Sequence, residues 1–275
     1  METQQQAPQT PDPAKPVPAP QAASAQAPQQ VRHHINWAYE LRHYGFALKV
    51  GIFLYIVFLA YAVLAYGTMD LYTANKAFAN TAVVLLGIVL LLGPLSRFFD
   101  FVDKDVQYRK ELGVVAMYAA FIHGAVTYFF LSDYFPHQWL YTSGLLVLLS
   151  GLFALALLFF LFLISRTPIK LALGARRWWF LQNWGIRICF LIIAFHLAVQ
   201  KMPAWISWYR THGSSLASGL PEIDLLLGWF MLFVIIIRLA EIPGKEYGKI
   251  AWYISAVALP GIYIFTFAWG HRLTS

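Results

Sequence analysis

Long apolar runs alternate with short polar punctuation along this chain. Seven stretches hold enough consecutive apolar residues to cross a bilayer, which takes roughly 20. They are 46–66, 78–97, 112–131, 140–163, 179–201, 223–242 and 250–269. The clearest are "LYTSGLLVLLSGLFALALLFFLFLI" and "TAVVLLGIVLLLGPL". These runs are too long and too unalternating for barrel strands. Lipid offers no partner for backbone N–H and C=O groups, so each run predicts a helix that bonds internally. Pro260 and Gly261 interrupt the seventh run, which neighbouring helices tolerate. The pattern therefore predicts an all-α polytopic membrane helix bundle of about seven transmembrane helices over residues 31–275. Residues 1–30 are Pro, Gln and Ala with almost no large apolar side chain. Such a segment cannot bury enough surface to fold and reads as a disordered tail. It also lacks the apolar core of a signal peptide.

Composition sharpens this picture. Of 275 residues, 59% are hydrophobic and only 12% charged, with mean hydropathy +0.58. Soluble domains carry about a quarter charged residues, so this chain is built for lipid. The net charge of +7 need not mean nucleic acid. Its basic residues fall in alternate loops, as the positive-inside rule requires. Arg32, Arg42 and Lys49 precede or enter the first run. Arg97, Lys104, Arg109 and Lys110 lie between the second and third. Arg166, Lys170, Arg176 and Arg177 lie between the fourth and fifth, and Arg238, Lys245 and Lys249 follow the sixth. The opposite side has only Lys76, Lys201, Arg210 and Arg272. The expected topology is a cytoplasmic N-terminus and an outside C-terminus, with the third and fifth spans running the same way. A single cysteine, Cys189, excludes an intramolecular disulfide and a cysteine-based zinc or iron–sulfur centre.

Six of the eight histidines sit in polar or terminal stretches and read as solvated: His33, His34, His43, His137, His212 and His271. His123 and His196 lie within the third and fifth spans, where an ionisable residue is by default functional. His123 is 11 residues past Leu112, about 16 Å along a helix, and His196 is 17 past Trp179, about 25 Å. If the "RRWW" girdle lies in the headgroups, the two are level in the outer half. Ala116, Ala119, Ala120 and Gly124 form a small-residue groove beside His123, suited either to close helix packing or to a flat macrocycle. Zinc wants more ligands than two histidines, and a proton relay wants carboxylates that the span centres lack. A bis-histidine haem satisfies both imidazoles without adding charge. Arg187, nine residues before His196, suits a haem propionate or another anionic cofactor. It also suits backbone carbonyls or the interface, and no carboxylate in a span centre is expected to pair with it.

The second and third spans, with Gly93–Pro94–Leu95–Ser96–Arg97, then Arg109–Lys110–Glu111–Leu112–Gly113, then His123, resemble the ferric reductase-like transmembrane domain family. "ISRTPIKLALGARRWWFLQNWGIRICFLIIAFH" resembles that family's loop and fifth helix, ending at His196. The likeness covers about residues 78–200 and is closest to the haem-binding membrane subunit of bacterial methionine-sulfoxide reductase systems (MsrQ type). It implies b-type haem held by His123 and His196, electrons passing to an outer acceptor, and residence in a bacterial inner membrane. Two-haem members carry a second histidine pair 13 or 14 residues earlier. Here Arg109 stands 14 before His123, Asn183 stands 13 before His196, and Gln182 is its neighbour. One haem on the outer side is therefore expected. A quinone, or a flavin held by the basic inner loops, is the candidate for the remaining gap, although neither has a motif here.

The few residues after the seventh span carry no nicotinamide-binding glycine fingerprint. The expectation is an electron-transfer membrane component of an oxidoreductase system rather than a complete enzyme. It binds one haem b, with Arg109 and Arg187 facing anionic groups. Its partners are the lipid bilayer and a separate redox protein, with no nucleic acid. The alternative is a non-redox structural or transport subunit with a degenerate version of the same fold.

Overall fold

A computed structural model of the chain describes residues 37–211 and 219–271. The predicted disordered tail, along with Arg32, His33, His34, His212 and Arg272, lies outside the described residues. These residues hold nine α-helices, two 3-10 turns and no strand. The helices are α1 (Trp37–Tyr66), α2 (Leu71–Phe98), α3 (Arg109–Phe130), α4 (His137–Leu140), α5 (Leu145–Ile164), α6 (Thr167–Leu173), α7 (Ala175–Thr211), α8 (Ile223–Ala240) and α9 (Lys245–His271). Seven are long and apolar enough to cross a membrane, all but the short α4 and α6. This is the predicted all-α polytopic helix bundle.

Several helices outrun their apolar runs, α2 and α7 among them. The second run begins at residue 78, yet α2 starts at Leu71 and includes "LYTANKA". Thr73, Asn75 and Lys76 on this first stretch are buried, so tertiary neighbours carry polar helix that lipid would reject. The fifth run ends at 201, yet α7 continues through Pro203 to Thr211. Trp205 closes over Gly228 of α8, and Trp208 packs against Gly270 of α9. Aromatic burial against two neighbours thus holds the helix past its proline. The fourth run starts at 140, but a break at Tyr141–Gly144 separates the short α4 from α5, and Trp139 covers Gly144.

α2 forms the centre. It packs on α1, α3, α7, α8 and α9, and its buried residues run from Thr73 to Phe98. Gly87 lets the Phe230 ring of α8 approach, because a Cβ there would lie 2.5 Å from that ring. Outward-facing side chains such as Phe53, Ile56, Leu152, Phe153, Val257 and Ile264 remain exposed and apolar, as a lipid-facing surface requires. α3 packs on α2, α1 and α5, and α7 packs on α5, α8 and α2. Both histidine-bearing helices are thus flanked by α2 and α5.

Asp70 caps α2. Its Oδ1 accepts the Thr73 N–H at 2.8 Å, and Thr73 Oγ1 accepts the Asp70 N–H at 3.0 Å. The Thr73 backbone N–H holds the Asp70 carboxyl below the usual carboxylate range. A folded pKa depressed in this way stabilises the helix above the unfolded value of about 3.9. The contribution disappears as pH falls through the folded pKa. Asp70→Ala is expected to cost about 1 kcal/mol near neutral pH. Thermal unfolding followed by circular dichroism at descending pH should show wild type and variant converging in acid.

Candidate functional site

His196 is fixed against α5. Its Nδ1 lies 2.9 Å from the Val147 carbonyl oxygen and 3.2 Å from Ser150 Oγ. Ser150 itself donates to the same carbonyl at 3.0 Å. A carbonyl only accepts, and it has two lone pairs, so Nδ1 carries the proton. The lone pair is then on Nε2. Gly151 makes this approach possible, since a Cβ there would lie 3.1 Å from His196 Cε1. Backbone-anchored Nδ1 with a free Nε2 is the usual way a protein presents imidazole to a metal.

His123 lies on α3 with its Nδ1 buried and without a hydrogen-bond partner among the described residues. The Asn75 backbone of α2 faces the ring, and the ring interacts electrostatically with His196. One turn further along α3, Thr127 Oγ1 accepts from Asn75 Nδ2 at 2.8 Å, tying α2 to α3 beside the imidazole. Asn75 is four residues into α2, and Val147 is two residues into α5. The two histidines therefore sit level, near the end of the bundle where α2 and α5 begin. Both residues, with Gly124 and Gly151, retain partial exposure. The predicted small-residue groove is largely taken up by packing. Ala116 and Ala119 are buried, and Leu155 of α5 fills the space beside Gly124.

His43, read from the sequence as solvated, is only 4% exposed and lies against the Tyr108 ring, 4.7 Å between centroids. α1 begins at Trp37, before the apolar run, so this histidine joins the helix packing.

The arginines gather toward the opposite end. Arg109 and Arg238 both reach Gly93, where a Cβ would stand 3.6 and 3.7 Å from their Nη1 atoms. Glu241, one residue past α8, meets Arg97 at 2.5 Å, Arg238 at 2.7 Å and Arg187 at 4.0 Å. No carboxylate in a span centre was expected to pair with Arg187, and Glu241 lies instead at the end of a span. The partner comes from the end of another helix, 54 positions away in the chain, so no spacing rule exposes it. Arg187 also stacks on Trp184 at 5.2 Å. Arg97 and Arg238 stood out from sequence as inner-side basic residues, Arg97 also within the Gly93–Arg97 motif, and not as site residues. Their positions at helix ends, on the side rich in basic residues, were the available signal.

A second ionic cluster lies near the histidines and was not legible in the sequence. Lys76 meets Asp224 at 2.8 Å and Glu222 at 3.9 Å, and Lys201 meets each acid at 3.0 Å. Lys76 also donates to the Tyr66 hydroxyl. Two cations face two anions, so this cluster is balanced.

Fold and site together define a polytopic membrane protein whose bundle pairs two histidines near one end and gathers arginines toward the other. No protein-family model matches the chain, and none of the curated proteins matches it.

Proposed function

We propose that the protein is the electron-transfer membrane component of an oxidoreductase system, carrying one b-type haem between His123 and His196. The observation that carries this reading is the anchored His196. Val147 and Ser150 hold its Nδ1 side, which leaves Nε2 as the ligand nitrogen. His123, level with it and without a partner on Nδ1, supplies the second imidazole. A haem bound there would supply one-electron redox chemistry at its iron. The chain's own residues supply orientation, through the Val147 carbonyl and the Asn75–Thr127 tie, and a lipid-grade surround that limits water. Binding on the Gly124 side of His123 requires Leu155 to give way, since its Cδ1 would lie 2.9 Å from a Cβ at Gly124.

Orientation follows from charge. Arg97, Lys104, Arg109, Lys110, Arg166, Lys170, Arg176 and Arg177 cluster at the end opposite the histidines, which the positive-inside rule makes cytoplasmic. The haem then sits toward the outer face of a bacterial inner membrane, with the N-terminus inside. A separate redox protein completes the path on at least one side, with a quinone or a flavin as the inner electron source.

A second reading has its own support. The Lys76–Asp224–Lys201–Glu222 cluster lies within electrostatic reach of His123, an arrangement that also suits a non-redox transport subunit. A reduced-minus-oxidised visible spectrum of protein purified from haem-replete cells separates the two. Sharp α and Soret bands from one haem per chain are expected. A colourless protein would leave only the second reading.

A further inference from the structure

Three arginines converge on one carboxylate at the end of the bundle away from the histidines, and a fourth lies beside them. Arg97, Arg187 and Arg238 share Glu241, while Arg109 lies beside Arg238 at Gly93. Arg109 and Arg238 each interact electrostatically with the other three. The contrast with the balanced lysine cluster is a matter of charge. Two lysines face two acids there, but four guanidinium groups face one acid here. A carboxylate has two oxygens and about four lone-pair sites, whereas each guanidinium has five N–H donors. One carboxylate cannot serve all of these donors, and Glu241 Oε2, although 2.7 Å from Arg238 Nη1, is itself buried without a hydrogen-bond partner. Two of the donors are buried and have no hydrogen-bond partner, Arg187 Nε and Arg238 Nε. An uncompensated cation in a low-dielectric setting is costly, so an arrangement of this kind calls for an anion.

Chemistry selects the class of anion. A second carboxylate would bring one charge and two acceptor oxygens. A phosphate monoester carries about −1.5 to −2 near neutral pH and three acceptor oxygens. Arginine forks match phosphate geometry bidentately, which lysine does not. The cluster also grades from open to closed: Arg97 is 60% exposed at the side chain, Arg187 21% and Arg238 12%. An anion can enter past Arg97 from the level of the headgroups and settle against Arg187 and Arg238. Gly93 presents no side chain to the two guanidinium groups beside it.

We infer that Arg97, Arg109, Arg187 and Arg238 form a binding site for a terminal phosphate group. It belongs either to a phosphomonoester lipid such as phosphatidic acid or to a water-soluble phosphate ester. The site stands on the arginine geometry and does not depend on the haem reading.

The test uses the full chain in nanodiscs, with thermal unfolding followed by intrinsic tryptophan fluorescence, a readout independent of any redox activity. Inorganic phosphate is titrated into phosphatidylcholine discs against sodium chloride of equal ionic strength. Discs containing phosphatidic acid are run in parallel. A ligand that binds only the folded protein raises its unfolding temperature in a saturable manner. Stabilisation by phosphatidic acid that added phosphate does not increase assigns the site to lipid. Stabilisation by phosphate that phosphatidic acid does not reproduce assigns it to a soluble ester. In either case Arg187→Gln should weaken the apparent affinity by about tenfold or more, as expected on losing a charge-assisted fork. If Arg187→Gln does not fold, the rim variant Arg97→Gln should lower the affinity in the same assay. No stabilisation beyond the matched chloride control, in either kind of disc, would overturn the assignment. So would stabilisation left unchanged in the arginine variants.

Discussion

If the proposed haem is present, His196→Ala is expected to remove its visible bands from the purified protein, and His123→Ala is expected to do the same. Each substitution would take away one of the two imidazoles proposed to hold the haem. Loss of the fold is a weak explanation for the change. His196→Ala breaks a hydrogen bond to a carbonyl that Ser150 still reaches at 3.0 Å, a loss of about 1 kcal/mol. Size-exclusion profiles and helical circular dichroism should therefore match wild type while the Soret band disappears. Ser150→Ala makes the companion measurement. It leaves the Val147 anchor in place and should keep the bands. Full haem content in both histidine variants would remove the proposed ligands. A ratio near two haems per chain would show that Arg109 and Asn183 do not mark a missing second site.

Asp224→Ala is expected to destabilise the bundle strongly. Asp224 is 5% exposed and meets Lys76 at 2.8 Å and Lys201 at 3.0 Å. Its removal leaves two lysines with Glu222 alone, at 3.0 Å from Lys201 and 3.9 Å from Lys76. Breaking a buried pair from one side costs about 3–5 kcal/mol, since the surviving charge stays buried. Replacing both partners by apolar groups is often near neutral. The double variant Asp224→Ala/Lys76→Met should therefore recover much of the loss, with Glu222 still serving Lys201. Thermal unfolding in detergent of the two single variants and the double variant provides the check. A double variant as unstable as the sum of the singles would show that the charges act independently.

These two effects differ in how far the sequence anticipated them. An imidazole in a lipid-grade run stands out against its neighbours, so His123 and His196 were visible from composition alone. Lys76 and Lys201 were visible too, but as sparse outer-side charges. Their acids, Glu222 and Asp224, sit at the start of a distant helix, and only packing brings them within 3 Å. Arg187 shows the same limit. Its own span has no acid, and Glu241 reaches it from the end of α8. The groove of Ala116, Ala119 and Gly124 was legible as small residues, but what fills it, Leu155 included, was not.

The seven spans followed from sequence because the rule behind them is local. A backbone that must satisfy itself in lipid becomes helical wherever about 20 apolar residues run together. The all-α bundle and its two interior histidines needed nothing beyond that. The tertiary structure decided where the helices end and which charges meet. α2 extends through buried polar residues and α7 past Pro203 because neighbouring helices take up their side chains. The two ionic clusters arise the same way, from residues far apart in the chain. Partnership between charges depends on helix order and rotation, which hydrophobic pattern leaves open.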